Sequence, residues 1–205
     1  MSRYTGPRIK KMRALGVDLP GLSRKSIERR PYPPGQHGPK ATRRKLSDFA
    51  RQLMEKQKIR LNYGLNETQL RRLMKEARRS KLAAGQKLLE LLERRLDNVV
   101  FRAGLAPTIP AARQLVNHGH FQVNGRRVDI PSFRLRVGDE ITMRERSKNL
   151  AIVVESLESH SPMKPEWLDV KADKRHIQMR DTPMADSVPF QIDVQLVVEY
   201  YSKRM

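Results

Sequence analysis

Arg94-Arg95-Leu96-Asp97-Asn98-Val99-Val100, then Ala112-Arg113-Gln114-Leu115-Val116-Asn117-His118-Gly119, then Phe121-Gln122-Val123-Asn124-Gly125-Arg126-Arg127-Val128 form the most legible part of this chain. Leu88, Leu89, Leu92, Leu96, Val99, Val100 and Ala103 recur at helical spacing, so residues 86–104 read as one apolar-faced helix that Gly104 ends. Thr108 and Pro110 open a second, short helix, and Gly119 stops it. Asn124-Gly125 between alternating residues is a hairpin turn, because both residues tolerate the positive φ that a tight hairpin needs. A further strand runs through Ile141 and Met143. Helix, turn, helix, hairpin and strand over residues 94–150 make a small α+β module, with two helices on a short antiparallel sheet.

Outward from the module, composition changes on each side. Residues 1–95 carry 26 Lys/Arg against 8 Asp/Glu, a net of +18. Residues 96–150 carry 9 against 5 and residues 151–205 carry 7 against 9, which completes the formal +20. A surface that basic attracts a polyanion, and a nearly neutral tail does not. The pI near 10.8 points to nucleic acid or an anionic membrane surface; no apolar run is long enough to span a bilayer, which excludes an integral membrane protein, and no membrane partner is expected. The first residues, Met1-Ser2-Arg3-Tyr4-Thr5-Gly6-Pro7, have no apolar segment, and we expect no secretory signal. The absence of cysteine removes disulfides, thiolate zinc sites and cysteine nucleophiles together.

Residues 1–45 read as an irregular basic arm. Pro and Gly recur through Pro7, Gly16, Pro20, Gly21, Pro33, Pro34, Gly35 and Gly38, a pattern that breaks helices. Such a segment is expected not to bury itself: it is either a flexible tail or an arm that takes its shape from a partner, and the loop Pro34-Gly35-Gln36-His37-Gly38 favours the arm. Residues 46–93 read as a helical region whose cations suit a polyanion. Ser47 caps a helix whose apolar stripe is Leu46, Phe49, Ala50, Leu53 and Met54. Asn66 caps the next helix, with Leu70, Leu73, Met74 and Ala77 inward. Its other side carries Arg71, Arg72, Lys75, Arg78 and Arg79, a row of like charges that repels itself and calls for an external counterion. Residues 151–205 form a C-terminal packing and protein-contact segment. Its apolar end, Phe190 to Tyr201, fits a strand or a helix.

Catalytic patterns are missing. There is no phosphate-cradling Walker pattern, no dinucleotide fingerprint and no nucleophile elbow. His118 and His120 flank a glycine with no acid cluster beside them, so we expect no metal and no cofactor. Two rival readings are an RNA-modifying enzyme that uses the module for targeting, and a coat that binds any nucleic acid. The first needs a catalytic constellation that these residues do not supply. The second predicts binding indifferent to RNA fold.

Pro34-Gly35-Gln36-His37-Gly38, Leu46-Ser47-Asp48-Phe49, Glu55-Lys56-Gln57-Lys58, the three module motifs above, and the two ends, Arg3-Tyr4-Thr5-Gly6-Pro7 and Val198-Glu199-Tyr200-Tyr201-Ser202, occur in one order over nearly the whole chain. Together they resemble the bacterial-type family of small-subunit ribosomal protein four, in a cysteine-free form. The resemblance implies a non-catalytic constituent of the small ribosomal subunit that binds its rRNA early and nucleates assembly of the subunit body. It implies that the protein lines the entrance for mRNA and touches ribosomal protein five, with an influence on translational accuracy, and that it does not work as a homo-oligomer. It places the protein in the cytoplasm, with an organellar stroma left open. Relatives with cysteines in the arm hold zinc there; this chain does not supply those ligands.

Phosphates are gripped by guanidinium and ammonium groups on a rigid surface. On that ground the expected rRNA-binding residues are Arg51, Lys56, Lys58, Arg60, Arg71, Arg72, Arg78, Arg79, Arg94, Arg95, Arg113, His118, Asn124, Arg126 and Arg127. Arg3, Arg8, Lys10, Arg13, Gln36 and His37 are the expected RNA contacts of the arm. Lys40, Arg43, Arg44 and Lys45 are assigned to the mRNA entrance, and Trp167, Tyr200 and Tyr201 to protein contact.

Overall fold

The computed structural model describes residues 4–40, 46–159, 165–171, 175–202 and 204. They form two compact units, one of residues 1–88 with 190–205 and one of residues 89–189. The α+β reading holds, but the units cut across the compositional segments. The chain changes unit inside a helix, and the stretch 151–205 divides after Pro189.

In the first unit, α1 (Arg8–Leu15) starts after Pro7 and ends at Gly16, whose φ of 66° makes a left-handed C-cap. The arm is therefore not free of helix. Its prolines and glycines punctuate structure rather than prevent it. Nor does it lack a core: Met12, Leu19, Leu22 and Ile27 pack with Leu61, and Leu15, Val17 and Phe190 close over them. Four apolar side chains within sixteen residues suffice once Leu61 of a neighbouring helix joins them.

That neighbour is α2 (Asp48–Asn62), capped by Ser47, whose hydroxyl accepts from the Ala50 amide at 3.3 Å. α3 (Glu67–Ala77) opens with a capping box, in which the Gln69 amide donates to Asn66 Oδ1 at 2.7 Å and the Asn66 amide to Gln69 Oε1 at 3.1 Å. α4 (Ala84–Glu93) follows. The C-terminal apolar run resolves as α8 (Val194–Ser202), and it lies along α2. That contact is partly polar: Gln52 Nε2 donates to Glu199 at 3.1 Å, and the Asp193 amide donates to Glu55 at 3.0 Å. It reorients α2. The expected stripe does not face inward, since Leu46 and Phe49 are exposed, whereas Gln52, Lys56 and Ile59 are buried.

The second unit begins within α4. The single helix expected over 86–104 is two, α4 and α5 (Leu96–Arg102), because Arg95 is extended with ψ of 138°. Backbone from a distant loop takes over there. The Leu96 amide donates to the Phe133 carbonyl at 2.9 Å, the Asp97 amide to Pro131 at 3.1 Å, and the Leu135 amide to Arg94 at 2.9 Å. Arg95 grips Asp97 with two hydrogen bonds, of 3.0 and 2.7 Å, both side chains being buried. Asn98 Nδ2 donates to the Glu93 carbonyl and carboxylate at 3.0 and 2.9 Å, which seals the helix junction.

α6 (Ile109–Asn117) is capped by Thr108. β1 (Phe121–Val123) and β2 (Arg126–Arg127) form the hairpin; Asn124 and Gly125 have φ of 50° and 76°, the conformation that the Asn-Gly pair supplies. β3 (Glu140–Met143) pairs with β1, with Gln122 opposite Thr142. α7 (Ala151–Glu158) follows. Two strands not foreseen, β4 (Leu168–Val170) and β5 (His176–Met179), extend the sheet to an antiparallel order β2-β1-β3-β5-β4. Phe121, Val123, Ile141, Met143, Ile177 and Met179 alternate onto its buried face.

The Arg95–Asp97 pair anchors the helix break. Asp97→Ala, which strands a buried guanidinium, should lower the unfolding free energy by about 3–5 kcal/mol in a urea titration, and replacing both partners by apolar residues should cost far less. An unchanged midpoint for Asp97→Ala would contradict this role.

Candidate nucleic-acid interface

The cations of α3 follow from its period. Leu70, Leu73, Met74 and Ala77 are buried, so Arg71, Arg72, Lys75, Arg78 and Arg79 are exposed on the other side. Arg71 donates to the Arg204 carbonyl at 3.2 Å. Among the described residues, no carboxylate pairs with Arg72, Lys75, Arg78 or Arg79. Glu76 is exposed beside them, and the row remains a net-cationic ridge.

On α2 the expected phosphate binders separate. Arg51 is exposed and pairs with Asp48 on its own helix. Arg60 is half-buried, and its Nε is buried without a hydrogen-bond partner. Lys56 and Lys58 are interior, only 4% and 8% exposed. Lys56 Nζ donates to Glu67 at 2.9 Å beneath the Tyr200 ring, 4.9 Å from its centroid, and Lys58 Nζ donates to Glu55 at 2.6 Å. Their charges are engaged by carboxylates of the same unit, a half-exposed Glu67 and a largely covered Glu55. Arg95 is interior for the same reason. Arg94 is half-buried; it pairs with Glu90 at 2.7 Å, and its Nε donates to the Leu135 carbonyl at 2.8 Å.

Glu67 joins the helices of the first unit. It accepts from Lys56 and, at 2.8 Å, from the buried Tyr201 hydroxyl. Burial alone would raise its carboxyl, but the hydrogen bonds from Lys56 and Tyr201 and the charges of Lys56 and Arg60 outweigh this and hold it below the ordinary glutamate value. Burial, then the Glu67 hydrogen bond and charge, push the Tyr201 hydroxyl strongly upward, so it stays a proton donor.

In the second unit the exposed donors gather where α6 turns into the sheet. His118 is exposed and its ring centroid lies 6.0 Å from that of the half-buried His120. His120 Nδ1 lies 2.9 Å from Ser147 Oγ. Burial, and then the nearby charges of His118 and Arg144, lower the His120 pKa, which favours a neutral ring. Arg144 donates to the Gly119 carbonyl at 3.3 Å. Arg126 and Arg127 are exposed on β2, the edge strand. The Arg127 guanidinium lies over Gly119, where a Cβ would come within 2.3 Å of Nε. Gly119, at φ of 71°, leaves room for it. Arg113 is half-buried on α6. Asn124 shapes the turn: its Nδ2 donates to Asp139 at 2.8 Å and its Oδ1 accepts from the Glu140 amide at 2.9 Å. Sequence reasoning missed Arg144, which only the fold brings to Gly119.

In the arm, Lys10, Gln36, His37 and Lys40 are exposed, Arg8 donates to the Leu22 carbonyl at 3.3 Å, and Arg13 is half-buried. Arg3, Arg43, Arg44 and Lys45 lie outside the described residues. Of the expected protein-contact residues, Trp167 and Tyr201 are interior. Trp167 packs within its unit, and its indole N–H has no partner there. Tyr200 is half-buried and stacks on the exposed Phe49 at 6.2 Å, with the Arg204 guanidinium 4.4 Å from its ring centroid. Phe49, which helical periodicity placed inward, and Arg204 lie on this exposed aromatic stack. Among the described residues, no group of three His, Asp or Glu could hold a metal ion, and no helix is long and apolar enough to cross a membrane.

Comparison with known families matches two consecutive stretches of the chain. The profile described as the ribosomal protein S4/S9 N-terminal domain matches residues 3–93, and that of the S4 domain matches residues 94–141. The chain is 61% identical to small ribosomal subunit protein uS4 of Methylobacillus flagellatus over 205 residues, the whole of both chains. It is 60% identical to uS4B of Nitrosomonas europaea, again over the whole of both. It is 52% identical to uS4 of Synechococcus elongatus over 206 aligned positions, at full coverage of each.

Since the folded pKa of Glu67 is depressed, its contribution to stability is present above the ordinary glutamate value and is lost as pH falls through the folded value. Acid titration of the thermal midpoint should therefore show a drop below that pH which Glu67→Gln flattens. Parallel acid limbs for the two proteins would contradict the assignment.

Proposed function

The chain belongs to the small ribosomal subunit protein uS4 family, with its N-terminal and S4 domains in order, and from that premise we propose that it is a structural, rRNA-binding constituent of a bacterial-type small ribosomal subunit in the cytoplasm. It is not an enzyme. The observation that carries the reading is the α3 ridge of Arg72, Lys75, Arg78 and Arg79, with which no described carboxylate pairs. A second patch, Arg126 and Arg127 beside His118 and Arg144, gives the S4 domain its own phosphate-binding surface. Phosphates of a folded RNA suit both, because rigid helices and a strand edge hold the charges in fixed positions. Lys56, Lys58 and Arg95 support that surface from inside.

The finer roles follow from family membership together with local chemistry. Extended contact with rRNA by a chain that folds around its own core suits early binding, so the protein nucleates assembly of the subunit body. Lys40, with Arg43, Arg44 and Lys45, lines the mRNA entrance; a cluster of cations there holds a passing phosphate backbone without reading bases. The face around Phe49, Tyr200 and Arg204 meets ribosomal protein five, since a partly exposed aromatic stack with a guanidinium is the composition that protein interfaces favour.

Binding to a folded small-subunit rRNA transcript tests the reading. Arg72→Ala and Arg79→Ala should each weaken it about tenfold at moderate salt, as expected for one charge-assisted phosphate contact. Arg180→Ala, which removes only the exposed pair with Asp169, should leave it within about twofold. Equal losses at all three positions, or affinity for random RNA matching that for the folded transcript, would argue for a general coat. For the protein-five face, Tyr200→Asp in otherwise stable subunits should raise stop-codon readthrough, and unchanged readthrough would refute that contact.

A further inference from the structure

Residues 4–40 are held by bonds that need no partner molecule. Asp18 accepts from Ser26 Oγ at 2.7 Å and from the Ile27 amide at 2.9 Å, which closes the middle of the arm. Asn62 Oδ1 accepts from the Gly21 amide at 3.0 Å and ties the arm to α2. The apolar cluster of Met12, Leu19, Leu22 and Ile27 contains no residue of the stretch from Pro31 to Pro39. That stretch, which carries Gln36 and His37, hangs instead on Arg13.

Arg13 sits in the last turn of α1. Its Nε donates to the Tyr32 carbonyl at 3.0 Å and one terminal nitrogen donates to the Pro33 carbonyl at 3.3 Å. Its guanidinium carbon also lies 4.8 Å from the centroid of the Tyr32 ring. The Pro33 carbonyl has a second neighbour. Gly38 folds back so closely that a Cβ on it would lie 1.9 Å from that oxygen, and its amide donates to the Gly35 carbonyl at 3.1 Å. One flat fork thus holds two successive carbonyls and a ring at the base of a turn that only glycine can close. Gln36 and His37 are exposed at its tip. An ammonium group lacks the planar fork and stacks less well, so lysine is not an equivalent here.

We infer that Arg13 is a positioning residue that sets the Pro33–Gly38 loop before RNA arrives, so that Gln36 and His37 dock without an ordering penalty. The inference rests on the rRNA-binding reading. It separates Arg13 from Lys10 and Arg29, whose exposed charges face solvent. A loop already fixed binds more tightly than one that must order on contact, because the lost conformational entropy has been met in folding.

The test uses the full chain as wild type, Arg13→Ala, Arg13→Lys and Gly38→Ala. Amide exchange is read by NMR in the free proteins, and affinity for the small-subunit rRNA transcript is read across a salt series. In the free wild type the residue 38 amide should be protected. Arg13→Ala and Gly38→Ala should both abolish that protection and weaken binding by about tenfold, with an unchanged slope of log affinity against log salt. Arg13→Lys should fail to restore either. The inference is overturned if Arg13→Ala keeps the protection, or if the wild-type loop exchanges freely until RNA is added. It is equally overturned if Arg13→Ala lowers the slope by about 0.7–0.9 and Arg13→Lys recovers the affinity, since Arg13 would then be a phosphate contact. Gly38→Ala keeps every charge, so it decides the matter even if Arg13→Ala disturbs the arm core. A wild type that ignores the transcript at every salt would refute the rRNA reading, and the exchange data would still judge the loop.

Discussion

A shortage of carboxylates governs this protein. It carries 42 Lys and Arg but only 22 Asp and Glu, and several of those acids are already paired with cations of the fold. Glu55 and Glu67 neutralise the interior lysines Lys58 and Lys56, Asp97 neutralises Arg95, and Glu93 lies beside Arg102 and Asn98. Asp97 and Glu93 are buried and Glu55 and Glu67 partly so, and each is engaged by a cation within the fold instead of offsetting the exposed arginines. The exposed arginines of α3 and β2 are left facing solvent, where like charges at helical spacing repel one another. Such a surface reaches a low free energy only when a polyanion supplies the missing negative charge. The interior pairs and the exterior binding surface are two results of one distribution of acids.

The same placement explains the rigidity of the site. Glu67 draws Lys56 and Tyr201 together, which fixes α2, α3 and α8 as one framework for the cationic ridge. In the second unit, the Arg95–Asp97 pair and the carbonyls of residues 131–135 stop one helix and start the next. This fixes α5, on which α6 packs, to the segment that leads from the Arg126–Arg127 strand into β3. Binding without catalysis asks for this arrangement: charges held in fixed places, with little conformational freedom to lose on docking. The S4/S9 N-terminal domain and the S4 domain each present such a surface.

How much was legible in the residues follows from the range of the interaction. Ser47, Asn66, Thr108 and the Asn124-Gly125 turn act within four residues of themselves, and each sits where its local chemistry places it. The exposed row of α3 was equally visible, because its apolar residues leave one face for the arginines. Lys56 and Lys58 misled because their burial depends on α8, which arrives from the far end of the chain. Nothing near Arg95 announces a break, since the competing hydrogen bonds come from residues 131–135. The arm looked unfoldable because proline and glycine dominate it, yet Pro7 and Gly16 bound a helix and Leu61 completes its core. The short strands β4 and β5 carry too few residues for alternation to stand out. Trp167 and Tyr201 resembled contact residues only because exposure is invisible in a string of letters.

The most direct test of the central idea is the salt dependence of wild-type affinity for folded small-subunit rRNA. If roughly 8 phosphates are neutralised by the ridge, the β2 patch and the arm, log affinity should fall against log salt with a slope of about −6 to −7. A slope near −1, at whatever affinity, would mean that the exposed cations are not what holds the RNA.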